Sequence, residues 1–229
     1  MKEKKQKPAA FRIRSFVGRN SRKTAAQEKA YQTLWPQYGL SKTEPLAYEA
    51  AFGRLAPCYL EIGFGMGTSL LALAAARPEN NYIGVETHQP GIGAILNGIK
   101  DQRITNIRLF HGDVIDVLEQ CIPDHSLAGV QIFFPDPWPK RRHHERRLVQ
   151  SAFVKLIATK LQPQGILHLA TDWEDYAKHM LEVLSAEIAI VNTSNEFSSR
   201  SSQRPIVTKF EKRAEREKRK IWELQFVRK

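Results

Sequence analysis

The sequence predicts an α/β fold in which a mostly parallel sheet carries helices on both faces. From residue 58 onwards, short apolar runs alternate with segments of helical pattern, which is the order of β–α–β units. The apolar runs are nearly continuous, as in strands that are buried on both sides. With 229 residues, the chain is long enough to bury one sizeable core.

Five apolar runs are predicted to be strands, and they cover residues 58–62, 82–85, 107–110, 128–134 and 166–170. Helices are predicted between and after them, over residues 67–76, 89–100, 114–121, 145–160 and 173–186. The segment 194–207 is rich in Ser, Arg and Gln and is interpreted as a mobile loop. A charged helix near 208–219 and a final strand over 221–227 are predicted to follow it.

The first forty residues are polar and basic and lack this alternation. We interpret residues 1–40 as a basic N-terminal arm, partly flexible, that contains a helix around 27–35. Residues 41–229 are predicted to form a single domain. The basic start of the chain is not followed by an apolar segment of the kind found in secretory signals, and a cytoplasmic location is therefore expected.

Charge points to a nucleic acid partner. The chain has 35 Lys and Arg against 24 Asp and Glu, a net charge of +11, and the excess gathers in residues 2–23, 140–147 and 209–220. Such clusters favour a polyanion because binding releases condensed counterions. No apolar run is long enough for a membrane span. Cys58 and Cys121 lie far apart, which argues against a zinc site, and neither a metal nor a membrane partner is expected.

Acidic residues occur at the end of every predicted strand of the parallel series. In open α/β sheets, ligands bind beyond the carboxyl ends of the strands, where the strand order reverses. A single acid there could simply cap a helix, but a set of them predicts a binding site at this edge. The five acids are Glu61, Glu86, Asp113, Asp136 and Asp172.

The turn after the first strand predicts close approach of a ligand to the backbone, because Gly63, Gly65 and Gly67 can adopt positive φ. Their GxGxG spacing differs from the GxGxxG of dinucleotide sites. Glu61 beside this turn would repel a pyrophosphate and would attract a cation, such as the amino group of a methionyl moiety. Glu86 is placed to accept hydrogen bonds from ribose hydroxyls.

Asp113 could then serve an adenine amino group. Together, these acids favour S-adenosyl-L-methionine over NAD as the cofactor.

Asp136 lies between two prolines in the block Phe-Phe-Pro-Asp-Pro-Trp of residues 133–138. Proline fixes its own φ and disfavours helical geometry in the preceding residue, so stiff backbone is expected around Asp136. Trp138 adds a flat ring, and the basic run 140–147 adds positive charge. The block predicts a site for a flat, hydrogen-bonding group that is attached to phosphates.

Four motifs, in the same order, resemble those of the bacterial tRNA (guanine-N(7)-)-methyltransferase family, known as TrmB. They are residues 61–67, the block 133–138, Ala-Thr-Asp-Trp at 170–173, and Arg204-Pro205 with Thr-Lys-Phe-Glu at 208–211. The resemblance runs from about residue 58 to the C-terminus. It implies a class I S-adenosylmethionine-dependent methyltransferase fold (Rossmann-like, with a seven-stranded sheet). It also implies methylation of a guanine in the variable loop of tRNA.

Carried across by motif, the resemblance implies that Glu61, Glu86, Asp113 and Asp136 bind the cofactor and that Asp136 is also the catalytic residue. It implies substrate contacts for Lys140, Asp172, Thr208, Lys209, Phe210 and Glu211. Guanine N(7) is a bare acceptor and carries no proton, so Asp136 is interpreted as an anchor rather than a general base. Trp138 or Phe134 could stack on the base, with a core position for Phe134 as the alternative.

Two other functions stay open at this point. A methyltransferase that acts on another RNA, a protein or a small molecule would keep the acids but leave the basic clusters unused. A non-catalytic RNA-binding protein would have no need for the full set of acids. The sequence is compatible with a monomer or a homodimer.

Overall fold

The computed structural model describes residues 23–201, 204 and 206–229. Its centre is one seven-stranded sheet. The strands are β1 (Cys58–Ile62), β2 (Asn81–Glu86), β3 (Ile107–His111), β4 (Leu127–Phe133), β5 (Leu161–Thr171), β6 (Ile190–Asn192) and β7 (Trp222–Arg228). The predicted strands from 58–62 to 166–170 and the final strand are confirmed, each within a few residues of its predicted bounds except that β5 begins at Leu161.

The sheet order is β3-β2-β1-β4-β5-β7-β6, and β1 to β5 pair in parallel. β7 runs antiparallel to both β5 and β6. The direction of winding reverses between β1 and β4, so a crevice opens beyond their carboxyl ends, as this kind of fold requires. The predicted mostly parallel sheet of seven strands is therefore confirmed.

Helices cover both faces of the sheet, as predicted. They are α1 (Ala25–Tyr38), α2 (Tyr48–Phe52), α3 (Thr68–Ala76), α4 (Gln89–Gln102), α5 (Val114–Gln120), α6 (Ser151–Lys160), α7 (Glu174–Ser185) and α8 (Lys209–Arg216). One buried apolar cluster joins the sheet to α5, α6 and α7. A second joins its other face to α1, α3 and α4.

The structure corrects the predicted helix over residues 145–160. A 3₁₀ segment covers Arg141–Arg146, the chain then turns at Arg147 (φ −59°, ψ 134°), and α6 begins only at Ser151. The turn occurs because Arg147 is buried and bonded to neighbouring elements. Two short elements, α2 and β6, were not predicted, since five and three residues are too few to show a period.

The helix expected around 27–35 is α1, which begins with a capping box between Thr24 and Gln27. It packs closely on α4: a Cβ added at Gly93 would come within 2.4 Å of the Gln27 carbonyl oxygen. Ala30 is buried in this contact. Residues 1–22 of the expected arm lie outside the described residues, and so do residues 202, 203 and 205 of the expected mobile loop.

A helix that could span a bilayer, which must be both long and apolar, is absent from the described part of the chain.

Candidate active site

A pocket opens at the carboxyl ends of the central strands, where the crevice was expected. It brings together most of the predicted cofactor residues, and α8 contributes two predicted substrate residues to its wall. The predicted site residues that line it are Gly63, Gly65, Glu86, Asp113, Asp136, Lys209 and Phe210.

The glycine turn adopts the backbone that its sequence predicted. Gly63, Gly65 and Gly67 have φ values of 70°, 59° and 80°, in the left-handed region that side chains other than glycine rarely occupy. Another glycine, Gly91 on α4, was not singled out from the sequence. A Cβ at this position would come within 2.1 Å of the Gly65 carbonyl oxygen, so α4 can lie directly against the turn.

Glu86 holds this turn in shape. Its Oε2 accepts a hydrogen bond from the Gly65 N–H (2.9 Å), and its Oε1 accepts from the N–H groups of Thr87 (2.7 Å) and His88 (3.0 Å). The Thr87 hydroxyl adds a longer bond to Oε1 (3.4 Å), whereas only the Gly65 N–H donates to Oε2 among the residues that the structure describes, so an acceptor position on Oε2 remains for a further donor. Glu86 therefore both builds the turn and can accept from a hydroxyl group in the pocket.

Asp113 also combines two tasks. Its Oδ1 accepts from the Ile115 N–H at 3.0 Å and so caps α5, while the residue lines the pocket next to the end of β3. Helix capping, which we considered for a single strand-end acid, is therefore real here. Asp113 is therefore both a helix cap and part of the pocket wall.

Glu61 lies beneath the turn and is only 4% exposed. Its Oε2 has no hydrogen-bond partner among the described residues. Burial, reinforced by the charge of Glu86, raises the pKa of Glu61 to about 8. A buried carboxyl that lacks a partner is stabilised in its charged form by a cation, so this residue fits the amino group of a methionyl moiety.

The backbone around Asp136 is more unusual than its prolines predicted. Phe134 and Trp138, each just before a proline, have φ values of 52° and 45°. Left-handed geometry in bulky residues costs about 1–3 kcal/mol each and persists only where the surroundings impose it. Here the Phe134 N–H donates to the Ala170 carbonyl at 2.8 Å. The result is a fixed turn that leaves Asp136 exposed at the pocket.

Arg147, counted from the sequence in the basic run, has a structural task. It is 3% exposed, donates from Nε to the Pro137 carbonyl at 2.9 Å, and pairs with Asp175. Its guanidinium also lies 4.9 Å from the centre of the Tyr176 ring. Arg147 thus holds the proline turn to α7, and the cations of the run that face solvent include Lys140, Arg141 and Arg142.

The motif at residues 208–211 forms the start of α8. Thr208 and Glu211 make a reciprocal capping box. Phe210 stacks on Phe134, with ring centres 5.9 Å apart and planes 17° apart. Glu211 itself is 2% exposed. Burial opposes its ionisation, but the Thr208 N–H and the Arg204 guanidinium outweigh burial and lower the pKa of Glu211.

Asp172 lies outside the lining of this pocket. It belongs to a second cleft, whose lining includes Trp173, Trp222, Lys218 and Lys220. Its Oδ2 forms an ion pair with Arg219 Nη2 at 3.0 Å. Lys140 lines neither cleft and stands at the start of the 3₁₀ segment. Of the predicted cofactor acids, Glu86, Asp113 and Asp136 line one pocket and Glu61 does not. Of the predicted substrate residues, only Lys209 and Phe210 line it; those outside its lining are Lys140, Asp172, Thr208 and Glu211.

His111 has a role in the site's support that the sequence did not reveal. Its Nε2 donates to the Thr87 carbonyl (3.3 Å), since a carbonyl can only accept. Its Nδ1 therefore accepts from the Tyr31 hydroxyl at 3.0 Å. Burial lowers the pKa of His111, in keeping with this neutral form. The residue joins α1 to the rim of the pocket.

The described residues contain no group of three or more His, Cys, Asp or Glu side chains arranged to hold a metal ion.

Solved structures with the same fold include an rRNA methyltransferase and a cyclase. The 16S rRNA methyltransferase KamB superposes with a TM-score of 0.58 at 12% identity, covering 79% of this chain and 92% of that one. The [4+2]-cyclase SpnF superposes with a TM-score of 0.54 at 13% identity, covering 90% and 97%. At such identities the likeness concerns the fold alone, which is the class I S-adenosylmethionine-dependent methyltransferase fold.

Sequence relatives are much closer. A family model described as "Putative methyltransferase" matches residues 55–224. The tRNA (guanine-N(7)-)-methyltransferase of Alcanivorax borkumensis is 51% identical over 218 residues, which are 94% of this chain and 91% of that protein. The enzyme of the same name from Idiomarina loihiensis is 51% identical over 217 residues, covering 93% and 88%. The chain therefore belongs to the tRNA (guanine-N(7)-)-methyltransferase family.

Proposed function

We propose that this protein transfers a methyl group from S-adenosyl-L-methionine to the N(7) atom of a guanine in the variable loop of tRNA. The observation that carries the proposal is the pocket itself, which Glu86, Asp113 and the exposed Asp136 line together. Glu61, whose buried Oε2 has no partner within the described stretches of the chain, directly precedes the strand end that opens into the glycine turn of this pocket. Relatives that are about half identical over nearly the whole chain are named tRNA (guanine-N(7)-)-methyltransferase.

Each cofactor acid has a distinct assignment. Glu61 would hold the amino group, since its buried oxygen lacks a partner. Glu86 would accept from the ribose hydroxyls with the capacity that the backbone N–H groups leave unused. Asp113 would accept from the adenine amino group. When bound, S-adenosyl-L-methionine supplies an electrophilic methyl group on a sulfonium centre.

The chain's contribution to the reaction is to position and stabilise. Guanine N(7) has a lone pair and no proton, so no side chain has to remove one. Asp136, exposed at the pocket, would accept hydrogen bonds from the guanine and offset the positive charge that develops on its ring. The stacked Phe134 and Phe210 offer an aromatic surface beside it, and bases that leave a stack commonly rest on such rings.

Cations on two sides of the pocket would hold the RNA backbone. Lys140, Arg141 and Arg142 are exposed on the 3₁₀ segment that follows the Asp136 turn. Lys212 and Arg216 are exposed on α8, whose first residues line the pocket. Neutralising phosphates in this way releases counterions, which favours binding.

Asp172 lies in the second cleft, beside two tryptophans and the lysines that follow α8. We therefore assign its substrate contact to a nucleotide next to the target guanine, with Arg219 as the group that holds Asp172 in place. We also propose a cytoplasmic location, since tRNA is modified there.

The test is direct. The protein is incubated with methyl-labelled S-adenosyl-L-methionine and unmodified tRNA, and the product is then cleaved by chemistry specific to 7-methylguanosine. We expect label in tRNA and one cleavage site in the variable loop. Labelled tRNA without that cleavage would overturn the assignment to N(7), and labelling of a protein or small molecule alone would overturn the assignment to tRNA.

A further inference from the structure

We propose that Arg204 is a positioning residue, which fixes α8 against the sheet so that Lys209 and Phe210 close one wall of the cofactor pocket. It lies in the segment that connects β6 to α8, and its side chain is 1% exposed. The proposal rests on the proposed function only for its catalytic readout.

Arg204 joins two buried carboxylates from different elements. It pairs with Glu211 on α8, and its Nη1 donates to Glu223 Oε2 on β7 at 2.7 Å. Both acids are 2% exposed. The burial of Glu223 opposes its ionisation, but hydrogen bonds from His168 and the Ser201 N–H lower its pKa. Arg204 therefore lies between two anions, one on the helix and one on the sheet.

The same guanidinium touches the pocket wall. Its centre lies 5.4 Å from the ring centres of both Phe133 and Phe134, at the end of β4. Phe134 in turn stacks on Phe210. A cation over an aromatic face is attracted by the ring, more strongly when water is excluded. Arg204 thus links α8 to β7 and to the turn that presents Asp136.

The sheet side of this network is itself anchored. His168 on β5 contacts Glu223 Oε1 through Nε2 at 2.6 Å, with His168 only 1% exposed. His168 also meets the edge of Phe133, with ring centres 5.0 Å apart. The acid that receives Arg204 is consequently fixed from two strands.

Besides Arg204, the described contacts of α8 include the Phe134–Phe210 stack and a partly exposed second arginine, Arg200, whose Nε lies 3.3 Å from Glu211 Oε1. The buried residues of this eight-residue helix are Glu211 and Ala214, so it offers almost no apolar surface to the core. Phe210 remains 42% exposed. Since short helices depend on tertiary packing for stability, the paired Arg204 is the contact that decides where α8, and with it Lys209 and Phe210, stands.

The experiment compares Arg204→Met with Arg213→Met in the full-length protein. Arg213 is the matched control, because it is exposed on α8 and pairs with Glu217 only at the surface. For each variant we would measure hydrogen exchange by peptide, the dissociation constant of S-adenosyl-L-methionine, and kcat and KM for tRNA. Arg204→Lys, which keeps the charge but not the two-pronged geometry, tests rescue.

For Arg204→Met we expect faster exchange confined to residues 208–216, with β1 to β4 still protected. We expect kcat to fall by about tenfold or more, since small displacements of positioning groups cost this much. The cofactor dissociation constant should rise by a smaller factor, because the acids of the glycine turn remain. Arg204→Lys should recover part of kcat, and Arg213→Met should match the parent protein in hydrogen exchange and in cofactor affinity.

Unchanged exchange in α8, or a uniform increase across the whole protein, would overturn the positioning role. If Arg204→Met does not fold, Glu211→Gln takes its place, since it keeps an oxygen for the cap but weakens the pair with Arg204, and the same local pattern is expected. Exchange does not require tRNA. A parent protein that fails to methylate tRNA would therefore contradict the proposed function. The positioning role of Arg204 would then still be tested by hydrogen exchange in α8.

Discussion

Phe134 and Phe210 lie stacked at the pocket, with ring centres 5.9 Å apart, although they come from distant parts of the chain. Phe134 belongs to the strained turn that carries Asp136, and Phe210 lies in the first turn of α8. This contact joins the proposed catalytic turn to the C-terminal motif. The two rings, one from each motif, together form a single aromatic surface at the pocket.

We expect Phe210→Ala to lower kcat/KM for tRNA by about tenfold to a hundredfold, since a stacked base contributes about 1–3 kcal/mol. Phe210→Tyr keeps the ring and should retain most activity. Steady-state kinetics at saturating cofactor provide the measurement. A Phe210→Ala protein with the parent's kcat/KM would show that the base does not rest on this surface.

Asp136→Asn should keep the fold and lose most turnover, by about 100-fold or more, because removing one electrostatic contact at a reacting centre has this effect. The amide still forms hydrogen bonds but no longer offsets the positive charge on guanine. Circular dichroism checks the fold, and single-turnover rates check the chemistry. Normal turnover in this variant would make the anchor role of Asp136 wrong.

The raised pKa of Glu61 predicts that cofactor binding releases a proton. The raised pKa of about 8, against an ordinary value of 4.5, means that the free protein holds this carboxyl protonated at neutral pH. A cationic amino group would favour the carboxylate form of Glu61. The affinity for S-adenosyl-L-methionine should therefore rise as pH increases towards about 8 and level off above it. Calorimetry in buffers of different ionisation enthalpy counts the released proton, and Glu61→Gln is the control that should show none.

The same residue sets the sign of a stability change in the free protein. Between 4.5 and about 8, the folded state binds more protons at Glu61 than the unfolded state does. The free energy of unfolding should therefore fall as pH rises through this range. Denaturant melts at several pH values give the free energy of unfolding of the parent and Glu61→Gln proteins. If this free energy depends on pH equally in both proteins, the burial argument for Glu61 is wrong.

Affinity for tRNA should fall steeply with salt. Replacing Lys140, Arg141 and Arg142 with Gln should reduce the slope of log affinity against log salt by about one for each phosphate contact that is lost. Arg103→Gln, exposed after α4, is the control and should leave the slope unchanged. Binding titrations at several salt concentrations measure it. A parent protein with a flat response would remove the role given to these cations.

The central strands and the glycine turn could be predicted because their signals are local. Each strand is a continuous apolar run, and positive φ at Gly63, Gly65 and Gly67 follows from the residue type. The break at Arg147 could not be predicted in this way. Its cause is a contact with the Pro137 carbonyl and an ion pair with Asp175, on a helix further along the chain.

The candidate site divides along the same line. Acids at strand ends were predicted to meet because parallel strands share one edge, and Glu86, Asp113 and Asp136 do line one pocket. The family resemblance implied substrate contacts for Glu211 and Asp172 as well as for Lys209 and Phe210. In the structure, Glu211 is buried against Arg204 and Asp172 faces a second cleft.

By itself, the sequence determined the α/β fold and the edge of the sheet at which acidic side chains gather, because apolar periodicity and residue type act locally. Only the tertiary structure decided which charged side chains are buried in ion pairs and which are exposed to a ligand. Arg147 and Arg204 are as basic in sequence as Arg141, yet both are buried and paired. Burial and pairing depend on residues far along the chain, and only folding brings these together.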